Sequence, residues 1–427
     1  MLRFKLIASA TCILASALLT VTVPIRAASA PPFSPSRPQY LFLNRAPGPS
    51  WYQNNPQTVT DKLFEEPFEK LGHAHSAGRR LGLSFVFSYL DGPPAQMHET
   101  LSKLLTMAQK HDVPILIGLS GENWWDYRSD LWNWWDAAKP GYNPANAANV
   151  EWTSWTADSA LKIAWRNWGS QIRVSPPPNL VSPAFLNACN AELTAMLRII
   201  KSWADSLPAE RAYLFPGVKV GWETSIGINA FCYPDGDQLL KSGPADGSGD
   251  PKNGLDMAKG LSGGQLLQGY AAATTMGLKH PGPVTLEDQE QIVTRYVRFI
   301  TDICRKEGLF PDQIFTHGGG QYPPWDQHLS YKIAINSIST PGWSLYNLSP
   351  ERAGDLARQL TVANTRDWCA SEWLTFGTDS IQWEAAIENT LSFRRCRFLS
   401  VYNWEGVRDN ASAVEGLRRA LAAEPKQ

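Results

Sequence analysis

Short apolar runs and helical stripes alternate along most of this chain. Leu83-Ser84-Phe85-Val86-Phe87-Ser88-Tyr89 and Pro114-Ile115-Leu116-Ile117-Gly118-Leu119 read as strands. Between them Met97, Leu101, Leu104, Leu105 and Ala108 recur at helical spacing. Leu161 to Trp165 predicts a third strand. Gly217 to Glu223 predicts a fourth, Ile314 to His317 a fifth and Gly342 to Tyr346 a sixth. A seventh ends at Glu372, and Phe398 to Trp404 gives the eighth. Ser182-Pro183, Thr285 and Ser349-Pro350 open helices as N-caps or first-turn prolines. Tyr40-Leu41-Phe42-Leu43 reads as a short strand outside the barrel or as a lid across its bottom. Eight strands alternating with helices predict a parallel α/β fold, a (β/α)8 TIM barrel, with a doubly wound sheet as the runner-up.

Two stretches break the rhythm. Residues 232–283 are rich in Gly, Asp, Pro and Ser without a period, and predict a long insertion on the barrel's top face. Residues 1–30 combine Arg3 and Lys5, an apolar core and Ala28-Ser29-Ala30, the pattern of a cleaved signal peptide. An uncleaved anchor is the alternative. A proline-rich leader over 31–39 then precedes a single barrel domain over 40–427. The expected location is secreted or periplasmic, with no membrane association after signal cleavage.

The formal net charge of -1, with acids and bases interspersed, leaves no footprint for nucleic acid or for an anionic membrane. No phosphate-cradling glycine motif follows a strand. Of the six cysteines, Cys12 leaves with the signal. The other five show no zinc spacing and read as small buried apolar residues. A barrel metal site needs clustered His and Asp at strand ends, and only His317 stands at one, so neither metal nor cofactor is expected.

The 18 tryptophans exceed what a core needs. Flat amphipathic rings suit the mixed surface of a sugar. Acids stand beside tryptophan where strands end: Trp222-Glu223, Glu372-Trp373 and Trp404-Glu405. Glu122 opens a loop that carries Trp124, Trp125, Trp132, Trp134 and Trp135. From that loop Glu122, Trp124 and Trp125 are expected to meet sugar, the rings as stacking platforms. Active sites of these barrels gather at strand C-termini. Glycoside cleavage commonly needs two carboxyl groups, one to protonate the leaving oxygen and one to attack or to activate water.

On these residues the chain resembles the clan A glycoside hydrolases, retaining (β/α)8 enzymes with glutamates on strands four and seven. The resemblance implies that Glu223 is the acid/base and Glu372 the nucleophile. It further implies that Trp404 floors the nearest sugar subsite, and that His317 and Tyr346 are polar neighbours of the nucleophile. The clan has Asn directly before its acid/base, where this chain has Trp222. The expected activity is hydrolysis of a poly- or oligosaccharide. A carbohydrate-binding barrel without catalysis is the alternative. Desolvation is expected to keep Glu223 protonated, and a hydrogen-bond donor to keep Glu372 ionised.

Overall fold

The computed structural model describes residues 38–46, 55–72, 78–167, 171–226, 232, 266–319, 329–347, 349–365 and 367–424. The expected signal peptide, most of the expected leader and much of the expected insertion lie outside them. Residues 35–427 belong to one compact unit.

Eight parallel strands close into a barrel. In chain order they are β1 (Gln39–Asn44), β2 (Arg79–Ser88), β3 (Ile115–Ser120), β6 (Val218–Thr224), β7 (Ile314–Gly318), β8 (Gly342–Tyr346), β9 (Asp367–Leu374) and β10 (Arg395–Val401). The remaining two, β4 (Ala164–Asn167) and β5 (Gln171–Val174), pair antiparallel as a separate sheet. The helices are α1 (Asp61–Leu71), α2 (Pro94–His111), α3 (Ser129–Trp132), α4 (Pro183–Ser206) and α5 (Tyr270–Thr275), then α6 (Leu286–Lys306), α7 (Leu356–Val362), α8 (Ser380–Ser392), α9 (Trp404–Val407) and α10 (Ala411–Ala422).

The predicted barrel is present, with two strands reassigned. Tyr40 to Leu43 is neither an outlying strand nor a lid. It lies within β1, which pairs with β2 on one side and β10 on the other and so closes the ring. Leu161 to Trp165 is not a barrel strand. Its second half enters the β4–β5 hairpin, while β3 pairs directly with β6. The two errors offset each other, and Glu223 still falls on the fourth barrel strand and Glu372 on the seventh. The eighth strand stops at Val401, short of Trp404.

The helices follow their sequence signals. Met97, Leu101, Leu104, Leu105 and Ala108 are all buried on α2, each larger side chain contributing about 2 kcal/mol of burial. At the start of α6, Thr285 and Asp288 form a reciprocal capping box, with the Asp288 amide donating to Thr285 Oγ1 at 3.1 Å and the Thr285 amide to Asp288 at 2.7 Å. Ser182 does not cap α4, and its hydroxyl donates to Asn149 Oδ1 at 2.6 Å instead. The stretch after Ser349-Pro350 is a single 3-10 turn before α7. Cys189, Cys232, Cys304, Cys369 and Cys396 are buried free thiols. No described helix is long and apolar enough to cross a membrane.

Strand alternation fills the barrel in layers. Tyr40, Phe42, Leu116, Phe315, Cys369 and Phe398 form one apolar cluster. Further along the same inward rows stand Ser84 and Ser400, whose hydroxyls share a hydrogen bond of 3.0 Å. The inward row of β6 carries Lys219, which is 1 % exposed.

Candidate active site

The C-terminal end of β6 is deformed. Its register against β7 jumps from Val220 paired with Thr316 to Thr224 paired with Gly318. Gly221, Trp222 and Glu223 thus bulge opposite one residue of β7. Gly221 has φ 81° and Glu223 φ 49°, both in the left-handed region. A side chain at Gly221 would start 2.3 Å from Thr224 Oγ1. Bulges re-aim side chains beside functional sites, and a left-handed glutamate is strained backbone that its surroundings must hold.

Glu122 holds it. Its Oε1 accepts from the Trp222 amide at 2.8 Å and from Thr224 Oγ1 at 2.7 Å. Its Oε2 accepts from the Gly121 amide at 3.0 Å, Ser120 Oγ at 3.1 Å and Tyr296 Oη at 3.3 Å. Asn123 Nδ2 adds a bond to the Trp222 carbonyl at 2.5 Å. Glu122 is 6 % exposed with both oxygens occupied by protein donors. The sugar-binding expectation for it is corrected, because this carboxylate clamps the bulge.

On β9 the register against β8 also slips, from Trp343 paired with Ala370 to Ser344 paired with Glu372. Glu372 is 2 % exposed. Tyr346 Oη donates to its Oε1, and Trp222 Nε1 donates to its Oε2 at 3.1 Å. Burial first, then the charge of Glu223, pushes the Glu372 carboxyl up to about 8, while Lys219 and the Trp222 bond pull it down. Glu223 is half-buried. Of the two glutamates, Glu372 is the more deeply buried. Tyr346 is the donor to Glu372 that the sequence asks for.

His317 is buried at the end of β7, with Nε2 sharing a hydrogen bond with Ser344 Oγ at 2.9 Å. Burial, and next the charge of Lys219, hold its imidazole well below the usual range, so it is neutral. Its Nδ1 has no partner among the described residues. Two groups were not anticipated. Tyr402, one residue past β10, packs edge-on against Tyr346 with centroids 6.0 Å apart. Its phenol is raised by burial and then by the charges of Glu372 and Glu223. Its sequence signal was the every-second-residue row Phe398, Ser400, Tyr402. Lys219 was the one charge in the otherwise apolar run of strand four before Glu223.

The tryptophans are placed otherwise than expected. Asn403 takes a left-handed conformation (φ 54°) that breaks strand alternation. Trp404 then starts α9 fully buried, and its Nε1 donates to Glu66 on α1 at 3.0 Å. Arg45 bridges Glu66 at 3.1 Å and Glu405 at 3.0 Å beside it. Trp404 so braces the mouth's outer wall and offers no ring face as a sugar floor. Trp124 and Trp125 are 2 % and 1 % exposed, so neither is a stacking platform. Trp124 packs with Val86, Leu161 and Trp222, and Trp125 bonds the Pro176 carbonyl at 2.9 Å. Trp134 and Trp135 use their indole N–H groups on the carbonyls of Leu161 and Lys162, tying the loop to the run before β4. Trp222 is buried and committed to Glu372.

A cavity of about 460 Å³ opens at the opposite end of the barrel, among Tyr40, Tyr213, Phe315, Arg397 and Phe398. Residues at the N-terminal face of such barrels serve stability, whereas Glu223 and Glu372 stand at the C-terminal ends of their strands.

No family model and no curated protein matches the chain. Solved structures do resemble it. An exo-β-1,4-mannosidase from Opitutaceae bacterium strain TAV5 is 12% identical, with 91% of this chain covered, 60% of that one and a TM-score of 0.43. This chain thus spans less than two thirds of that enzyme. A β-1,4-D-mannanase from Cryptopygus antarcticus is 12% identical over 91% of this chain and 90% of that one, also with a TM-score of 0.43. Other matches are clan A glycoside hydrolases of families GH5 and GH26. A morphinone reductase in complex with tetrahydroNAD matches at 11% identity over 90% of this chain and 87% of that one, with a TM-score of 0.40. What these proteins share with the chain is the barrel.

Proposed function

We propose that this protein is a glycoside hydrolase that cleaves a poly- or oligosaccharide with Glu223 and Glu372, and that it works outside the cytoplasm, secreted or periplasmic. One observation carries the reading: a buried glutamate on barrel strand seven has a donor on each oxygen and is under the charge of a second glutamate on a bulged strand four. Catalysis requires one proton on this pair, so that one carboxyl donates while the other attacks. Glu372, oriented by Trp222 and Tyr346, is the nucleophile in this reading. Glu223 delivers the proton to the leaving oxygen and later takes one from water. The location rests on the signal-like pattern of residues 1–30. The competing reading is a barrel that only binds carbohydrate.

The test is a panel of aryl glycosides. We expect turnover of at least one by the wild-type protein, falling as pH rises above about 8, where the pair loses its last proton. Glu372→Gln should lose about 10³-fold or more in kcat/KM on every substrate turned over. A wild-type protein that binds oligosaccharide yet cleaves none of the panel would favour the binding-only barrel.

A further inference from the structure

Lysine is rare in the interior of a barrel, because an ammonium loses its hydration there. Among the described residues Lys219 is the only buried lysine. It points inward from β6, four residues before Glu223. Its Cε lies 3.0 Å from where a Cβ on Gly118 would stand, so glycine at 118 leaves the room the stem occupies. Its Nζ reaches across to β9 and donates to the Ser371 carbonyl at 3.3 Å, directly before Glu372. One side chain therefore joins the two strands that carry the glutamates.

We propose that Lys219 is the positioning residue of the carboxylate pair: it fixes the main chain at Ser371, and its ammonium sets the number of protons the pair holds at one. The inference rests on the hydrolase reading and adds to it the group that keeps the pair competent. The argument is one of charge. A buried cluster is cheapest when it is neutral overall. With Lys219 charged, neutrality requires one carboxylate and one carboxylic acid, the state that glycoside cleavage uses. With an uncharged residue there, neutrality requires both carboxyls protonated, and no nucleophile remains.

The other ionisable groups in play fit this count. Burial is the largest influence on Lys219 and opposes its charge, while Glu372 on β9 and Glu223 on β6 favour it. Cys369 is held as a neutral thiol by burial, its pKa pushed up to about 12. His317 on β7 is neutral, and the ammonium helps keep it so. Tyr402 stays a phenol. Burial opposes charge at both Lys219 and Glu372, and each favours the charged form of the other.

The test reads protons and needs no substrate. In full-length protein with isotope-labelled glutamate side-chain carboxyls, the Glu372 NMR signal is assigned by its loss in Glu372→Gln and titrated. We expect its upper midpoint to rise by about one unit or more in Lys219→Met, a tenfold gain in proton affinity. An unchanged midpoint would overturn the proposal. Should Lys219→Met not fold, the wild-type lysine Nζ signals decide. After reductive methylation of exposed lysines, the protected Lys219 signal should be that of an ammonium at pH 7, and a neutral amine there would overturn the proposal. A wild-type protein inert toward all glycosides would count against the hydrolase reading and leave this titration intact.

Discussion

Glu372 makes a residue-scale demand on stability. Its carboxyl rises from an ordinary 4.5 in the unfolded chain to about 8 in the fold. Between those values the folded state binds more protons than the unfolded one. The stabilisation is therefore complete below 4.5 and is lost as pH rises through 8. Glu372→Gln removes this dependence. Relative to the wild type, the variant should gain about 2 kcal/mol or more between pH 4.5 and pH 8.5, measured by denaturant unfolding at both values. A gap that does not widen with pH would mean that Glu372 is ionised in the empty site throughout. The sequence brought out both glutamates, because each stands beside a tryptophan where a strand ends. It did not mark Glu372 as the more deeply buried, since burial at a strand end depends on bulges in both strands, and nothing in Trp222-Glu223 or Ser371-Glu372 announces a register slip. It also read the tryptophans as sugar platforms. Trp125 and Trp404 instead donate their indole N–H groups to the Pro176 carbonyl and to Glu66, partners far away in the chain.

At the scale of elements, the site depends on the bulge at the end of β6 and on the clamp from the loop after β3. Glu122 offers its two oxygens to five donors, and removing it leaves buried amides and hydroxyls without partners. Glu122→Ala should cost about 3 kcal/mol in denaturant unfolding. It should also lower kcat/KM by about 10²-fold, because the left-handed conformation of Glu223 loses its support. Loss of stability with unchanged turnover of the folded fraction would show that the bulge stands without the clamp. This role was not legible: Glu122 sits among tryptophans and looks like a surface acid. The misread strands have similar causes. β1 is six residues long and is followed by chain interrupted by Pro47, Pro49 and Pro56 before its helix, so the βα rhythm does not reveal it. Leu161 to Trp165 has the apolar content of a buried strand, but its partner is the short run just after it, and pairing direction leaves no periodic trace.

Over the whole molecule, the alternation of short apolar runs with helical stripes was enough to specify the barrel, because a parallel sheet buried on both faces needs that pattern everywhere. The barrel alone leaves the chemistry open. The central claim is that Glu372 attacks and Glu223 moves the proton. Azide rescue on an activated aryl glycoside tests it most directly. With Glu223→Gln the first step needs little protonation, and azide, needing no general base, should restore turnover and release a glycosyl azide of retained anomeric configuration. With Glu372→Gln no covalent intermediate forms, and any azide product should have inverted configuration. Retained-configuration azide from Glu372→Gln, and none from Glu223→Gln, would contradict the account.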